Sequence, residues 1–270
     1  MSSSRPERST TLETLFAQTG LTGAFSSKVA DYAASRPDYP PALIDALEWI
    51  DALFPGARVA DIAAGTGLFT QSLLERGYPV VAIEPNAPMR KVAATRLAHF
   101  RTVECIEGTA EASTLESATV DLVTVAQAFH WFDVDASRRE FLRILKPKGQ
   151  VALIWNTRPL DDPLQNAIDG TLSMFGGAKH VELAQQQDLS NVPRFFGGAQ
   201  FQELGFHHSQ HLARAGLLSL VLSRSSMPDR GTPEGARAER ELSGLFDQFA
   251  QDGEVIVEYR TVAMVGRPIP

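Results

Sequence analysis

The stretch Val59-Ala-Asp-Ile-Ala-Ala-Gly-Thr-Gly-Leu-Phe-Thr70, with Val80-Val-Ala-Ile-Glu-Pro85 after it, decides the fold. An apolar run ends in a loop of small residues, a helical segment follows, and a second apolar run ends in one carboxylate, Glu84. This order predicts a βαβ unit with a nucleoside site where its strands end. Gly65 and Gly67 permit dihedrals that other residues resist, so backbone N–H groups can approach a ligand. The Glu84 carboxylate can accept hydrogen bonds from both hydroxyls of a ribose.

A nicotinamide or flavin dinucleotide is the first alternative occupant of this site. Its fingerprint G-x-G-x-x-G requires a third glycine, and Thr70 stands at that position. Asp61 lies at the approach to the loop, where it would oppose a diphosphate but pair with the ammonium group of an amino-acid moiety. The loop therefore favours a cationic nucleoside. S-adenosylmethionine is such a molecule, because it carries both a sulfonium and an ammonium.

These residues resemble motif I of the class I S-adenosylmethionine-dependent methyltransferases, with Ala63 where the family often has its first glycine. Glu84 resembles the acidic residue of motif II. The resemblance implies an α/β fold with a Rossmann-like, doubly wound, mostly parallel seven-stranded sheet. It also implies an antiparallel last strand, a helical cap after strand five, and S-adenosylmethionine as cofactor.

Composition and charge restrict the functional class. The chain has 270 residues, a net charge of −7 and no run of basic residues, which argues against a nucleic-acid partner. Neither a membrane span nor a secretory signal is evident. The single cysteine, Cys105, excludes disulfides within the chain, so we expect a reducing, cytoplasmic compartment. The histidines at 207, 208 and 211 lack partners at ligand spacing, so no metal site is predicted.

Strands and helices alternate through residue 155, which predicts a parallel sheet. We expect a mobile segment over residues 1–23 and a cofactor-binding core over 24–156. Residues 157–200 and 214–250 would form the cap that sets acceptor specificity, and 201–213 and 251–270 would close the sheet. A turn is predicted over Lys146-Pro-Lys-Gly149, just before strand five.

A polar loop follows the third predicted strand, Glu107-Gly-Thr-Ala-Glu111. The resemblance implies that the backbone of Ala110 addresses an adenine ring while Glu111 accepts from its amino group. For Glu111, a turn with a helix N-cap at Thr109 is an equally plain interpretation.

The segment Ala126-Gln-Ala-Phe-His-Trp-Phe-Asp133 places three aromatic residues and a histidine directly after a buried strand. His130 is a candidate general base, or alternatively a structural histidine. Trp131 and Phe132 are candidates for an apolar wall that excludes water and aligns an acceptor, or for packing against the next helix.

The segment Tyr32-Ala-Ala-Ser-Arg-Pro-Asp-Tyr-Pro40 places Tyr32 and Arg36 on one helical face. Arg36 could bind a carboxylate of cofactor or substrate, or pair with Asp31 or Asp38 on the surface. With the other motifs, this segment resembles the small-molecule branch of the family that includes trans-aconitate-type methyltransferases. The likeness is strong over residues 24–156 and loose over 157–250.

The resemblance implies two sets of site residues. The predicted cofactor-binding residues are Tyr32, Arg36, Asp61, Ala63, Gly65, Gly67, Glu84, Pro85, Met89, Thr109, Ala110, Glu111, Ala126 and Gln127. The predicted substrate-binding residues are Tyr39, Phe129, Trp131, Phe132, Trp155 and Arg158, with His130 as the catalytic residue.

The predicted activity is methyl transfer from S-adenosylmethionine to an oxygen or nitrogen of a small molecule, by a monomer or homodimer. The acceptor class is a carboxylate or a natural-product-like compound. Three alternatives remain: a cyclase or pericyclase on the same scaffold, a nicotinamide oxidoreductase, and a protein-interaction module.

Overall fold

The computed structural model describes residues 35–159, 161–186, 189–198 and 200–270, without the side chains of 179–186. The predicted mobile segment 1–23 and Tyr32 lie outside these residues. No helix in the described part of the chain is both long enough and apolar enough to span a membrane.

A seven-stranded sheet organises the chain, in the order β3-β2-β1-β4-β5-β7-β6. The strands β1 to β5 run parallel, whereas β7 lies antiparallel between β5 and β6. This confirms the mostly parallel sheet and the antiparallel last strand. The strands are β1 Val59–Ile62, β2 Val80–Ile83, β3 Val103–Ile106, β4 Val120–Ala126, β5 Leu145–Thr157, β6 Gln202–Leu212 and β7 Val255–Gly266.

Eight α-helices connect the strands of the described chain. They are α1 Pro41–Trp49, α2 Leu68–Glu75, α3 Ala87–Arg96, α4 Val134–Ile144, α5 Pro163–Gln186, α6 Val192–Phe195, α7 Arg214–Leu222 and α8 Pro233–Phe249. Side-chain caps begin several of them: the carboxylate of Asp133 accepts from the backbone N–H of Ala136, and the Asn86 side chain accepts from Met89. Proline in the first turn of α1 costs no hydrogen bond, because that N–H has no helical partner.

Apolar residues cover both faces of the sheet. One core packs β1, β2, β4, β5 and β7 against Phe141, Phe195 and Phe196, and the other packs them against α1, α2 and α3. A third core joins α5, α7 and α8 to the extended ends of β6 and β7. Helices on both faces of a mainly parallel sheet form a doubly wound fold.

The predicted turn over Lys146–Gly149 is wrong. The segment belongs to β5, where Val120 pairs with Leu145 but Leu122 pairs with Gln150. The register shift lets the strand bulge without ending, so the proline and glycine mark an irregularity within it. In the predicted cap, α5 is one long helical region interrupted by non-helical dihedrals at Gly177.

Candidate active site

The site lies where the order of the strands reverses. From β1 the chain continues to β2 and β3 on one side of the sheet. It then returns to β4, which lies on the other side of β1. Crossover helices leave on opposite faces at this point, which opens a crevice at the carboxyl ends of the strands. Most of the predicted site residues follow β1, β2, β3, β4 or β5 directly, so the topology brings them to the same edge.

Glu84 follows β2 and is held by backbone groups. Its Oε2 accepts from the N–H of Gly65 at 2.8 Å, and its Oε1 accepts from the N–H of Asn86 at 2.9 Å. The residue is only 7% exposed. Because an ionised carboxylate has about four acceptor sites, these two bonds leave each oxygen able to accept a further hydrogen bond. The orientation of Glu84 therefore suits a pair of ribose hydroxyls.

The loop after β1 has the open backbone that a close ligand requires. Gly65 has φ +59°, and a Cβ built there would meet nothing within 4 Å. Gly67 has φ +77°, but a Cβ there would lie 2.9 Å from the Leu97 side chain. The first glycine thus faces free space and the second packs against α3. Ala63, in the place of the family's first glycine, also has a positive φ, +55°, which is strained for a residue with a Cβ.

Asp61 lies beneath this loop and is 1% exposed. The Thr70 hydroxyl donates to its Oδ2 at 2.6 Å, and the Thr124 hydroxyl donates to its Oδ1 at 2.8 Å. Burial raises the pKa of Asp61 to about 6, the two hydroxyls oppose this shift, and the nearby Glu84 adds to it. Thr70 stands at the position where a dinucleotide-binding fold has its third glycine, and here its hydroxyl holds Asp61.

The loop after β3 forms a tight turn beside Glu84. The N–H groups of Thr109 and Ala112 each donate to the carbonyl of the other, and the Thr109 hydroxyl also accepts from Ala112. Ala110 is buried, whereas Glu111 is partly exposed and accepts from the N–H of Asp133 at 3.1 Å. Thr109 thus closes a turn and begins no helix, which removes the N-cap interpretation.

Pro85 and Met89 lie at the start of α3, beside Glu84. Arg90 fixes this corner, because its guanidinium donates to the carbonyls of Glu84 and Pro85 and to the Glu107 carboxylate. The turn at Glu84 and the loop after β3 are thereby joined.

The aromatic segment after β4 forms a short 3-10 helix over Phe129–Trp131. Phe129 is buried, with its ring 6.2 Å from Trp155 and 6.1 Å from Phe132, both edge-on. Trp131 is 61% exposed at the mouth of the crevice. Phe129 therefore belongs to the core, and Trp131 is free to contact an acceptor.

Two buried nitrogens of this region lack hydrogen-bond partners among the described residues: His130 Nδ1 and Trp155 Nε1. Burial lowers the pKa of His130 from its ordinary value of 6.5. The imidazole is consequently neutral at pH 7 and able to accept a proton. Gln127, between β4 and the aromatic segment, has φ +63°, a strained conformation of the kind found at functional sites.

Arg158 follows β5 and faces α5. Its Nη1 donates to Gln165 Oε1 and Asp169 Oδ1, both at 3.3 Å. Burial lowers the pKa of Arg158, Asp169 opposes the shift and the nearby Arg36 adds to it. Tyr259 lies close to both cations, and burial raises its pKa to about 12, so its hydroxyl stays protonated.

The segment before α1 is docked against the sheet by polar side chains. Asn156 donates to the carbonyl of Asp38 at 3.0 Å, and His208 Nε2 lies 2.8 Å from the Asp38 carboxylate. The Asp38 carboxylate thus lies against the His208 ring. Tyr39 packs its ring edge-on against Phe69, with 4.9 Å between centroids. This arrangement brings Arg36 and Tyr39 to the edge of the crevice.

Several residues of the site carry no motif in the sequence. Thr124 orients Asp61 from the neighbouring strand, and Tyr259 comes from β7. The sequence gives one indication of Thr124, which is a polar residue within the apolar stretch Leu122–Ala126 of β4. No cluster of three or more metal-ligating side chains occurs among the described residues.

Fold and site together define a nucleoside-binding α/β protein whose loop after β1 departs from the dinucleotide fingerprint. Residues 60–153 match the family described as methyltransferase domain. An uncharacterised methyltransferase of Mycobacterium tuberculosis is 34% identical over 246 residues, which cover 89% of this chain and 94% of that protein. An uncharacterised methyltransferase of Schizosaccharomyces pombe is 34% identical over 58% of this chain and 65% of its own length.

A solved structure of a candidate type II methyltransferase from Anaeromyxobacter dehalogenans has a TM-score of 0.62 at 23% identity. It covers 87% of this chain and 99% of its own. The likeness confirms the Rossmann-like fold. The chain belongs to the class I S-adenosylmethionine-dependent methyltransferases, and S-adenosylmethionine is its cofactor.

Proposed function

We propose that this methyltransferase transfers the methyl group to a small-molecule acceptor that binds above the carboxyl ends of β4 and β5. The observation that carries the proposal is the pair of buried, unpartnered nitrogens, His130 Nδ1 and Trp155 Nε1, beside an aromatic wall. A buried polar atom without a partner costs free energy of about 1–3 kcal/mol, which a bound ligand can recover. The net charge of −7 further supports a small molecule over a nucleic acid.

The cofactor would lie across the ends of β1, β2 and β3. Glu84 binds the ribose in this proposal, the open side of Gly65 admits the amino-acid portion, and Ala110 and Glu111 address the adenine. Asp61 would act from beneath the loop through its negative charge alone, because both of its oxygens already accept hydrogen bonds from hydroxyls. The remaining proposed contacts are Tyr32, Arg36, Ala63, Gly67, Pro85, Met89, Thr109, Ala126 and Gln127.

The bound cofactor supplies an electrophilic methyl group on a sulfonium. Phe132 and Trp131 would exclude water and hold the acceptor in line with the methyl–sulfur bond. His130 would take the proton of a hydroxyl or amine acceptor, since its lowered pKa leaves it neutral at pH 7. A carboxylate acceptor is already ionised and needs no base, so His130 would then only position it.

Arg36, Tyr39 and Arg158 complete the acceptor side in this proposal. The two guanidiniums lie close enough to influence each other, and among the described residues Asp169 and Tyr259 are the groups that favour the charged form of Arg158. Such a pair favours an acceptor that carries negative charge, because an anion would relieve the repulsion between the cations.

The test begins with S-adenosylhomocysteine and NAD, added separately to the wild type, Glu84→Ala and Glu104→Ala. Glu104 is an exposed glutamate on neighbouring β3 and serves as the matched control. Loss of charge-assisted bonds to both ribose hydroxyls should weaken S-adenosylhomocysteine binding about 100-fold in Glu84→Ala alone. Calorimetry measures this difference in affinity. Equal affinity in all three proteins would show that Glu84 does not bind the cofactor.

Acceptors are then screened by release of S-adenosylhomocysteine from S-adenosylmethionine. Methylation of small acids, alcohols or amines supports the proposal. A cyclase or pericyclase would convert its substrate while the cofactor stayed intact, so product formation without S-adenosylhomocysteine release would favour that alternative.

A further inference from the structure

The loop between β3 and β4 is fastened to α4 by one buried carboxylate. Glu140 Oε1 accepts from both the backbone N–H of Ser113, at 2.8 Å, and the Ser113 hydroxyl, at 2.5 Å. Ser113 is fully buried and Glu140 is 8% exposed. A buried carboxylate is expensive unless all its oxygens are hydrogen-bonded, and here the loop itself supplies two of the bonds.

Arg143, one turn along α4, completes the arrangement. Its Nε donates to Glu140 Oε2 at 2.7 Å, and its Nη2 donates both to Glu140 Oε1 and to the carbonyl of Leu115, each at 2.7 Å. Its Nη1 also donates to the Ser117 hydroxyl at 3.2 Å. Glu140 and Arg143 therefore hold residues 113–117 as one unit, and these bonds keep the pKa of Glu140 at about 2, although burial alone would raise it.

The held serine supports the turn that carries Ala110 and Glu111. A Cβ on Gly108 would lie 2.9 Å from the Ser113 carbonyl and 2.9 Å from the Ile83 side chain, so the two ends of the loop are in close contact. Between them, the mutual bonds of Thr109 and Ala112 close the turn. The position of Ser113 thus sets where the apex of the turn lies relative to β2.

A second connection joins the same loop to the start of α4. Glu111 Oε1 accepts from the N–H of Asp133, whose own carboxylate caps α4 at Ala136. Asp133 ends the aromatic segment, and Glu140 lies further along the same helix. The helix α4 is therefore attached both to the loop after β3 and to the acceptor wall.

We propose that Glu140 is a positioning residue for adenine recognition: through Ser113 it fixes the turn at Ala110 and Glu111 against the adenine ring of the cofactor. This inference rests on the proposed assignment of that turn to the adenine. Glu140 itself does not touch the ligand. It acts through the geometry of the loop, so its loss should alter which base is preferred as well as how tightly the nucleoside binds.

The test compares S-adenosylhomocysteine with S-inosylhomocysteine, which has hypoxanthine in place of adenine, on four variants. Glu140→Ala removes both hydrogen bonds between Glu140 and Ser113. Glu140→Gln keeps an oxygen acceptor but loses the charge. Ser113→Ala removes the hydroxyl, and with it the bond that the hydroxyl donates to Glu140 and the one that it accepts from the N–H of Leu115. Asp135→Asn is the control, because it disrupts ion pairs with Arg138 and Arg194 on the outer face of the same helix.

We expect the dissociation constant of S-adenosylhomocysteine to rise about tenfold in Glu140→Ala and by less in Glu140→Gln and Ser113→Ala. The preference for adenine over hypoxanthine should fall in the same order, while the turnover number at saturating cofactor changes less than about twofold. A purely structural role would leave the preference unchanged. Should Glu140→Ala not fold, the two milder variants carry the test.

Two results separate this inference from the function on which it rests. If the wild type binds S-adenosylhomocysteine but the Glu140 and Ser113 variants keep both its affinity and the wild-type base preference, the positioning role is wrong. If the wild type binds the nucleoside without preferring adenine to hypoxanthine, the assignment of the turn to the adenine is wrong, and the inference is wrong with it.

Discussion

The two halves of the crevice differ in how far their buried polar groups are hydrogen-bonded. In the cofactor half, at the ends of β1, β2 and β3, the carboxylates of Asp61 and Glu84 each accept two hydrogen bonds. In the acceptor half, at the ends of β4 and β5, His130 Nδ1 and Trp155 Nε1 are buried without partners among the described residues. One half is therefore rigid before any ligand arrives, and the other leaves donors and acceptors for the ligand to complete.

This difference fits the division of labour within the family. A single cofactor can be met by a site whose geometry is fixed in advance by backbone groups, which lowers the entropic cost of binding. On the proposed acceptor side, His130 Nδ1 and Trp155 Nε1 have no hydrogen-bond partner among the described residues and are left for a ligand. The proposed cofactor and acceptor sides lie next to each other, because β1 and β4 are neighbours in the sheet.

The largest expected effect comes from His130, in the acceptor half. With a hydroxyl or amine acceptor, His130→Ala should lower the turnover number about 10²–10⁴-fold, because the general base is lost. Binding of S-adenosylhomocysteine should be unchanged. The exposed His99 provides the control His99→Ala, and rates are measured by S-adenosylhomocysteine release.

The pH profile sharpens the same test. The lowered pKa of His130 means that kcat/KM should rise with pH and reach half of its maximum below pH 6.5. A hydroxyl or amine acceptor turned over by His130→Ala at the wild-type rate would show that the histidine is structural.

The next effect concerns Asp61, in the cofactor half. Its pKa is about 6 in the folded chain against 3.8 for an ordinary aspartate, so the native state binds the extra proton between these values. Stability from this group is therefore full below about pH 3.8 and is lost as the pH rises through about 6, a change of about 3 kcal/mol. Asp61→Asn cannot titrate and should lack this loss.

Urea unfolding of both proteins at several pH values measures the difference. The free energy of unfolding of Asp61→Asn, minus that of the wild type, should increase by about 2.4 kcal/mol between pH 4 and pH 7. A difference that stays constant with pH would mean that Asp61 titrates normally in the fold.

The two glycines of the loop after β1 should separate binding from stability. Both have a positive φ, so either alanine variant is strained by about 1–2 kcal/mol. In Gly67→Ala the new methyl group would also lie too close to the Leu97 side chain, at 2.9 Å, so this variant should be the less stable of the two. Gly65→Ala points its methyl group into open space and should weaken S-adenosylhomocysteine binding more than Gly67→Ala does. Calorimetry and urea unfolding provide the two readouts, and the reverse ranking in either would contradict the geometry.

The smallest effect is expected at Ala63. Its φ of +55° suits glycine, so Ala63→Gly should relieve strain and stabilise the chain by about 1 kcal/mol or less, since glycine also gains entropy when unfolded. Thermal unfolding without ligand measures this gain. A destabilised variant would show that the alanine methyl group contributes packing that outweighs the strain.

Local patterns predicted most of the fold. The apolar runs before the glycine loop and before Glu84 form β1 and β2 as predicted, because burial on both faces leaves a continuous apolar signal. The Lys146–Gly149 turn failed for a physical reason. Proline and glycine mark a departure from regular strand geometry, but whether the strand ends or bulges depends on its pairing with β4.

Within the site, the sequence identified the residues that stand at strand ends, and it missed those that act from a distance. It could place Asp61 and Glu84 beside the glycine loop, but not the two hydroxyls that cover Asp61. It predicted a turn at Thr109 but allowed a helix after it, whereas in the fold the turn closes and no helix follows. Nothing in the sequence indicated that His208, 170 residues further along the chain, would lie 2.8 Å from the Asp38 carboxylate.

The sequence by itself determined the βαβ unit, the class of nucleoside and the edge of the sheet where chemistry occurs, because these depend on periodicity and on residues adjacent in the chain. The tertiary structure decided which polar groups are satisfied and which are left for a ligand. Thr124 reaches Asp61 across 63 residues, and Glu140 reaches Ser113 across 27. Hydrogen bonds of that span form only once the strands have been ordered and the helices packed, so no local pattern of residues can specify them.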